Sequence, residues 1–412
     1  MIKAGALYIV VIVSLLIAMI SASLLTIAFY YRQEVQKKAR FDKLLVNLES
    51  GTAVLLSEGF NYYDEAKSVD LFEDQKDSLV LKKELWGVYE LNTVKAFEAK
   101  DTLKRAFFSG DAFTDPNAIY LADEDRPLSV SGTTKITGDG QLPKSGLKQA
   151  YVEGKPYAGK ELIYGAIKNS DRGLPVLNDK LIQEIEANLN TVEGLPFLVK
   201  DSISCSFFNA VSIYKLAATQ MNLGSRKLKG KIILVSDTTV NIDADTRLDH
   251  VQIYAPAIII AGGFKGSCQL FARDSIIIGK NCVFDYPSFA GIFKPEESKI
   301  QAKLSLGEGG RFSGVLFSYE KTRSPLQTII SLAKSCKVNG EVYATGYVKM
   351  EKTTAVYGKT SAKRFIMQTP TTLYENYLID ITLNRKMLSK YYLSSSIFKR
   401  DHREQRILRW LN

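Results

Sequence analysis

Histidine and cysteine are scarce in this chain, and the usual signatures of catalysis are missing. Among 412 residues there are two histidines, His250 and His402, and four cysteines, Cys205, Cys268, Cys282 and Cys336. No two cysteines stand at C-x-x-C spacing, so a zinc knuckle or dithiol redox site is excluded, and the wide spacings match no compact disulfide framework. Free thiols packing as small hydrophobes are expected, with a bridge as the alternative. Gly262-Gly263 and Gly307–Gly310 lack the flanking pattern of a phosphate loop or dinucleotide fold. The Asp123-Glu124-Asp125 cluster lacks EF-hand spacing, and Asp139 between two glycines reads as a turn. No cofactor or metal site follows from any of these. Charge of one sign is also less abundant than the net +10 suggests, because the segment Arg385 to Asn412 alone contributes six of those ten charges. The body is nearly balanced, which argues against a nucleic-acid partner.

What the chain does have is one long apolar run. Ala4 to Tyr30 carries no charge, and at 1.5 Å per residue it clears a hydrocarbon core of about 30 Å even when tilted. A secretory signal has an apolar core of roughly 7–15 residues, so this run reads as a retained transmembrane anchor with membrane lipid as its partner. Lys3 precedes it, whereas Arg32, Lys37, Lys38, Arg40 and Lys43 follow, and the positive-inside rule therefore favours a cytoplasmic body. From Arg32 to Leu56, the positions Val35, Leu44, Leu45, Leu48 and Val54 read as a broken amphipathic helix.

A second feature pulls the orientation the other way. Met-Ile-Lys-Ala-Gly followed by an apolar stretch from Ala6 resembles the basic leader of type IV pilins and type II secretion pseudopilins. That resemblance implies cleavage after Gly5, export of the body to the periplasm or cell exterior, and a helix that continues beyond the inner membrane. It covers about 50 residues and departs at Val10, where most pilins carry Glu at the fifth mature position.

Past Gly59 the pattern becomes strand-rich. Trp86–Leu91 and Ala118–Ala122 are short β-prone segments, and Asn178–Leu189 interrupts them with Leu181, Ile182, Ile185 and Leu189 at helical spacing, predicting a surface helix. The strongest signal is a repeat. Val240 and Ile242 return as Ile258 and Ile260, then as Ile276 and Ile278, each step being 18 residues. Val251–Ala255 returns as Cys268–Ala272 after 17. In a second array Gly340–Ala344 returns as Gly358–Ala362 and Val348 as Ile366, again 18 apart. A constant step of this kind predicts stacked coils of a β-solenoid, with an evenly spaced antiparallel sandwich as the alternative. The motif Val338-Asn-Gly340-Glu-Val342-Tyr-Ala344 resembles the units of bactofilins, a resemblance covering about 130 residues that implies a scaffold polymerising end to end. The whole chain resembles uncharacterised membrane-anchored bacterial proteins of this build.

The expected architecture is mainly β. It comprises an anchor over 1–30, a helical stalk over 31–58, a strand-rich region over 59–200, a β-solenoid over 201–383 and a basic tail over 384–412.

Solenoids host polysaccharide lyases, which gather carboxylates from adjacent coils. Asp237, Asp243, Asp245, Asp249, Asp274 and Asp285 are the candidates, but an 18-residue step carries Asp237, Asp243, Asp274 and Asp285 onto non-acidic positions. They read as turn residues instead. Ile278-Gly-Lys-Asn-Cys-Val fits one hexapeptide of the left-handed acyltransferases, with no sustained run; His250 beside Val251 reads as an outward-facing structural residue and His402 lies in the tail. Outward aromatics at Tyr254, Phe271, Tyr286 and Phe289 would support sugar binding if they line one open face. In the tail, Ile397, Phe398, Ile407, Leu408, Trp410 and Leu411 interleave with Arg and Lys. That pattern suggests a segment docking on a partner or lipid surface, or a helix capping the solenoid.

The function that follows is a non-enzymatic structural or assembly protein of the bacterial inner membrane, resembling a minor pseudopilin. Its helix would contact other anchored proteins, such as pilus or secretion components, through Ser14, Ser21 and Ser23. A homo-oligomer, a cytoplasm-facing bactofilin-like scaffold and a carbohydrate-binding or carbohydrate-cleaving surface protein remain open.

Overall fold

The computed structural model describes the chain apart from residues 1–3, 61–63, 72–76, 191–193, 218–220, 370–371, 401–402 and 412, so Lys3 and His402 lie outside the described residues. The chain forms two compact units, one of Met1–Glu84 with Asn92–Ala106 and the other of Leu85–Leu91 with Phe107–Asn412.

The first unit is organised by a single helix, α1, Ala4–Leu56, of 53 residues. It has no proline and runs unbroken where the sequence suggests a broken second half. Continuity follows from the stripe Leu44, Leu48, Gly51, Leu55, which keeps one face apolar at steps of three and four. Leu44, Leu48 and Leu55 are buried, whereas the large apolar residues from Leu7 to Tyr31 stand 40–73% exposed. Gly51 is where the sheet comes closest: an added Cβ would sit 2.9 Å from Val94 Cγ1 and 3.0 Å from Leu81 Cδ2. The sheet begins with Ala66–Val69 antiparallel to Asp77–Trp86, and Tyr89–Glu98 and Asp101–Ala112 follow in order. Ser14 and Ser23 hydroxyls donate back to the Val10 and Met19 carbonyls of the same helix.

The second unit is dominated by parallel pairing. Val240 pairs with Ile258 and Ile258 with Ile276, in the register the 18-residue step predicts. The row then continues through Leu304, Ile330, Val348 and Phe365, every member fully buried. The two arrays of the sequence are therefore one ladder. They look separate because the steps Ile276 to Leu304 and Leu304 to Ile330 carry extra residues in the loops 295–302 and 321–328. One register differs from expectation. Val348 faces Phe365, with Ile366 opposite Lys349, because the pairing shifts between Ala344 and Tyr347.

The ladder does not end at Phe365. Thr360, Ser361 and Ala362 pair in parallel with Ile119, Tyr120 and Leu121 from far earlier in the chain. Ile119 then pairs with Gly140, and Gly140 with Ile167. The hydrogen-bonded network of these strands is closed and barrel-like, and strands from both sides of residue 200 share it, so the boundary drawn there falls inside the sheet. A continuous apolar interior runs through it, from Ile119 and Ile136 to Leu228, Ile253, Leu270, Leu316 and Val356.

Two further elements lie on this body. Helix α2, Asp179–Asn190, matches the expected surface helix, and Leu181, Ile182, Ile185 and Leu189 are its buried face. Its first turn is capped by Asn178, whose side-chain oxygen accepts the Leu181 N–H at 3.4 Å. Apart from a single 3-10 turn at Arg385–Met387, the described residues of the tail are not helical. Leu393–Ser394 pairs antiparallel with Asp111 and Ala112, and Gln405–Leu411 is a strand on the same neighbour. Trp410 packs edge-on against Phe107 at 5.3 Å, a contact that a period-two strand permits. Trp86–Leu91, expected as one strand, contains a reverse turn at Gly87, whose φ of +60° suits glycine.

Candidate functional site

The six sequence-selected aspartates form no shared site. Asp237 is held by Lys215 at 2.9 Å and Asp249 lies 3.6 Å from Lys229. The Asp243 carbonyl accepts the Thr246 N–H at 3.2 Å, and the Asp285 carbonyl accepts the Ser288 hydroxyl at 2.6 Å, both turn roles. Asp245 is exposed in the same turn as Asp243. Asp274 has its carboxyl raised by burial. Among the described residues, no three His, Cys, Asp or Glu side chains gather as metal ligands.

His250 is an interior group where the sequence suggested an outward one. It is 6% exposed, with a left-handed backbone at φ +62°. Phe108 and Phe207 present edges to its ring at 5.2 and 6.4 Å, and the Trp86 indole N–H donates to its carbonyl at 3.0 Å. Nδ1 lies 3.4 Å from Ser267 Oγ and Nε2 lies 3.4 Å from Asp249 Oδ1. Burial outweighs the attraction of Asp249, and with repulsion from Arg409 and Lys229 it lowers the imidazole to about 4.

Three of the four aromatic candidates, Tyr254, Phe271 and Phe289, stand on one face, stacked strand over strand. The Tyr254 and Phe271 rings are 4.5 Å apart and nearly parallel; Phe289, Phe317 and Tyr343 continue the row at 5.1, 5.9 and 5.3 Å. They are not open to a sugar, because the apolar face of α2 and Ile397 cover them in one cluster. Tyr286 instead exchanges hydrogen bonds with the backbone of Leu393, its OH donating to the carbonyl at 2.8 Å. Two open clefts flank α2. One of about 300 Å³ is lined by Pro175, Asp179, Tyr319, Lys321 and Lys363, and one of about 450 Å³ by Glu186, Arg273, Phe293, Glu296 and Lys321.

Sequence reasoning missed the buried acids that hold the tail. Glu90 and Asp111 are each about 1% exposed, and Arg403 reaches both, at 2.7 and 3.1 Å. Burial raises the Asp111 carboxyl despite Arg403, while the two acids hold Arg403 firmly protonated against its own burial. Glu341, between Gly340 and Val342, accepts from Ser394 Oγ at 2.6 Å and Tyr392 OH at 3.2 Å, and burial raises it too. The one available signal was a carboxylate at a ladder position, where it pairs with Val315 on one side and Lys359 on the other. All four cysteines are free, with Cys268, Cys282 and Cys336 in the core.

These features describe a mainly β chain carrying one N-terminal helix long and apolar enough to cross a membrane. No family model matches the chain, and no curated protein does. Among solved structures, the competence-associated pilin ComZ from Thermus thermophilus is similar at 10% identity and a TM-score of 0.20, over 85% of this chain and 87% of that one. A score that low carries no argument about fold or role.

Proposed function

We propose that the chain is a non-enzymatic, membrane-anchored assembly protein, a minor pseudopilin-like component of a type II secretion or type IV pilus-like machine. The observation that carries this reading is the division of labour within α1. Its N-terminal half leaves every large apolar side chain exposed, and its C-terminal half packs Leu44, Leu48 and Leu55 onto protein. A helix built that way belongs partly to lipid and partly to a folded head. In this reading the second unit is a β-solenoid, supported by the continuous row of parallel pairings from Val240 to Phe365, and it presents a rigid surface to partners. The non-enzymatic part rests on aspartates engaged in turns and ion pairs. Mass spectrometry of the mature N-terminus tests the pseudopilin assignment: a chain beginning at Ala6 is expected, and an intact Met1 refutes it.

A cytoplasmic scaffold resembling bactofilins is the second reading, favoured by the basic residues Arg32, Lys37, Lys38 and Arg40 just after the apolar run. Protease treatment of spheroplasts separates the two, since digestion of the body supports export and protection supports the scaffold. The carbohydrate reading loses its main support, because Tyr254, Phe271 and Phe289 are covered.

A further inference from the structure

The first unit has a basic zone placed where the apolar half of α1 ends. Between Arg32 and Lys43 the helix carries Arg32, Lys37, Lys38, Arg40 and Lys43 against Glu34 and Asp42. The hairpin joining Tyr89–Glu98 to Asp101–Ala112 adds Lys95, Lys100, Lys104 and Arg105 against Glu98 and Asp101. These two stretches are adjacent in space, because Arg40 Nε bonds Asp101 Oδ2, 61 residues further on, at 2.9 Å. Arg32, Lys37, Lys38, Lys95 and Lys100 are all exposed.

Distance decides what this zone meets. Arg40 lies nine residues beyond Tyr31, about 14 Å along a helix rising 1.5 Å per residue. The headgroup layer on each side of a bilayer is about 5–8 Å thick, and fixed charge is felt for about 8 Å beyond it at physiological salt. Lys37 and Lys38, and the hairpin tip at Ala99 and Lys100 held beside Arg40, therefore fall within reach of lipid headgroups once the apolar half is inserted.

We propose that the helix segment 32–43 and the hairpin 95–105 form a basic collar that docks on anionic phospholipid headgroups. The inference rests on the membrane reading of α1 given above. The apolar half supplies insertion, which is insensitive to headgroup charge; the collar supplies contacts that depend on it. The hairpin thereby acts as a foot that fixes how the first unit stands on the bilayer.

The test uses the full chain with Cys205→Ser and Ala99→Cys, bimane-labelled at position 99 and reconstituted into vesicles containing a headgroup-spin-labelled neutral lipid. Neutral phosphatidylcholine vesicles are compared with vesicles holding about one third phosphatidylglycerol. Docking predicts stronger bimane quenching in the anionic vesicles, reversed by about 0.5 M salt, where screening shortens to a few ångströms. Neutralising Lys37, Lys38, Lys95 and Lys100 to Gln lowers the docked-to-undocked ratio by about fivefold per charge. Unchanged far-ultraviolet circular dichroism confirms that these exposed changes leave the fold in place. Equal quenching in both lipids, or quenching indifferent to salt, overturns the collar while leaving the anchor standing. A chain that does not float with either vesicle overturns both.

Discussion

Acidification should weaken the second unit through His250. The folded protein holds this imidazole at about 4, against 6.5 for an ordinary histidine, and burial is the main cause. Between those values the unfolded chain takes up a proton that the folded one refuses, so stability is fully present above about pH 6.5 and falls as pH drops towards 4. At about 1.36 kcal/mol per pH unit, the loss attributable to this residue is about 3 kcal/mol. Asp249 opposes the shift, and Lys229 and Arg409 reinforce it, while Phe108, Phe207 and Trp86 supply uncharged walls. The assay compares urea melts of the full chain in detergent, from pH 4.5 to 7.5, with those of His250→Asn. Asparagine tolerates the left-handed backbone and does not titrate. Other carboxylates contribute to both proteins, so the informative quantity is the difference in slope. The proton spectrum gives a direct check, since the ring signal that disappears in His250→Asn should titrate far below 6.5. Parallel pH profiles for the two proteins, or a His250 ring titrating near 6.5, would refute the reasoning.

Arg403→Ala should cost about 3–5 kcal/mol in denaturant melts, because it leaves Glu90 and Asp111 buried without their cation. Arg403→Lys should recover only part of the loss, since Arg403 reaches Glu90 through Nη2 and Asp111 through Nε, and a single ammonium nitrogen cannot occupy both places. Gly51→Val should destabilise the first unit by about 1–3 kcal/mol, as its side chain meets Val94 and Leu81, and a thermal melt of the full chain detects it. Under native conditions a thiol reagent should modify half-buried Cys205 first. Cys268, Cys282 and Cys336 should react only on unfolding, the last being pushed up to about 11 by burial.

Periodicity made the ladder readable in advance. Val240, Ile258 and Ile276 could be aligned by counting, because a parallel pair repeats at the length of its connection. The buried face of α2 was equally plain from Leu181, Ile182, Ile185 and Leu189. Where α2 lands was not, since nothing in its own spacing says that it covers Phe271 and Phe317. The arrays looked like two because inserted loops changed the step without changing the register. The tail was misjudged for a different reason: Arg403 finds its acids 292 and 313 residues away, a distance at which charge pattern along the chain is mute. His250 hid in the same way, being buried by Trp86, Phe108 and Phe207 from distant parts of the chain.

The pairing of Ile119, Tyr120 and Leu121 with Thr360, Ser361 and Ala362 has a consequence for biogenesis. A ribosome releases the earlier strand long before its neighbour exists, so that edge must wait, unpaired, while some 240 further residues are made. Messages truncated anywhere before codon 360 should thus yield chains with a sticky, orphaned β-edge, natural clients for a chaperone or a quality-control protease.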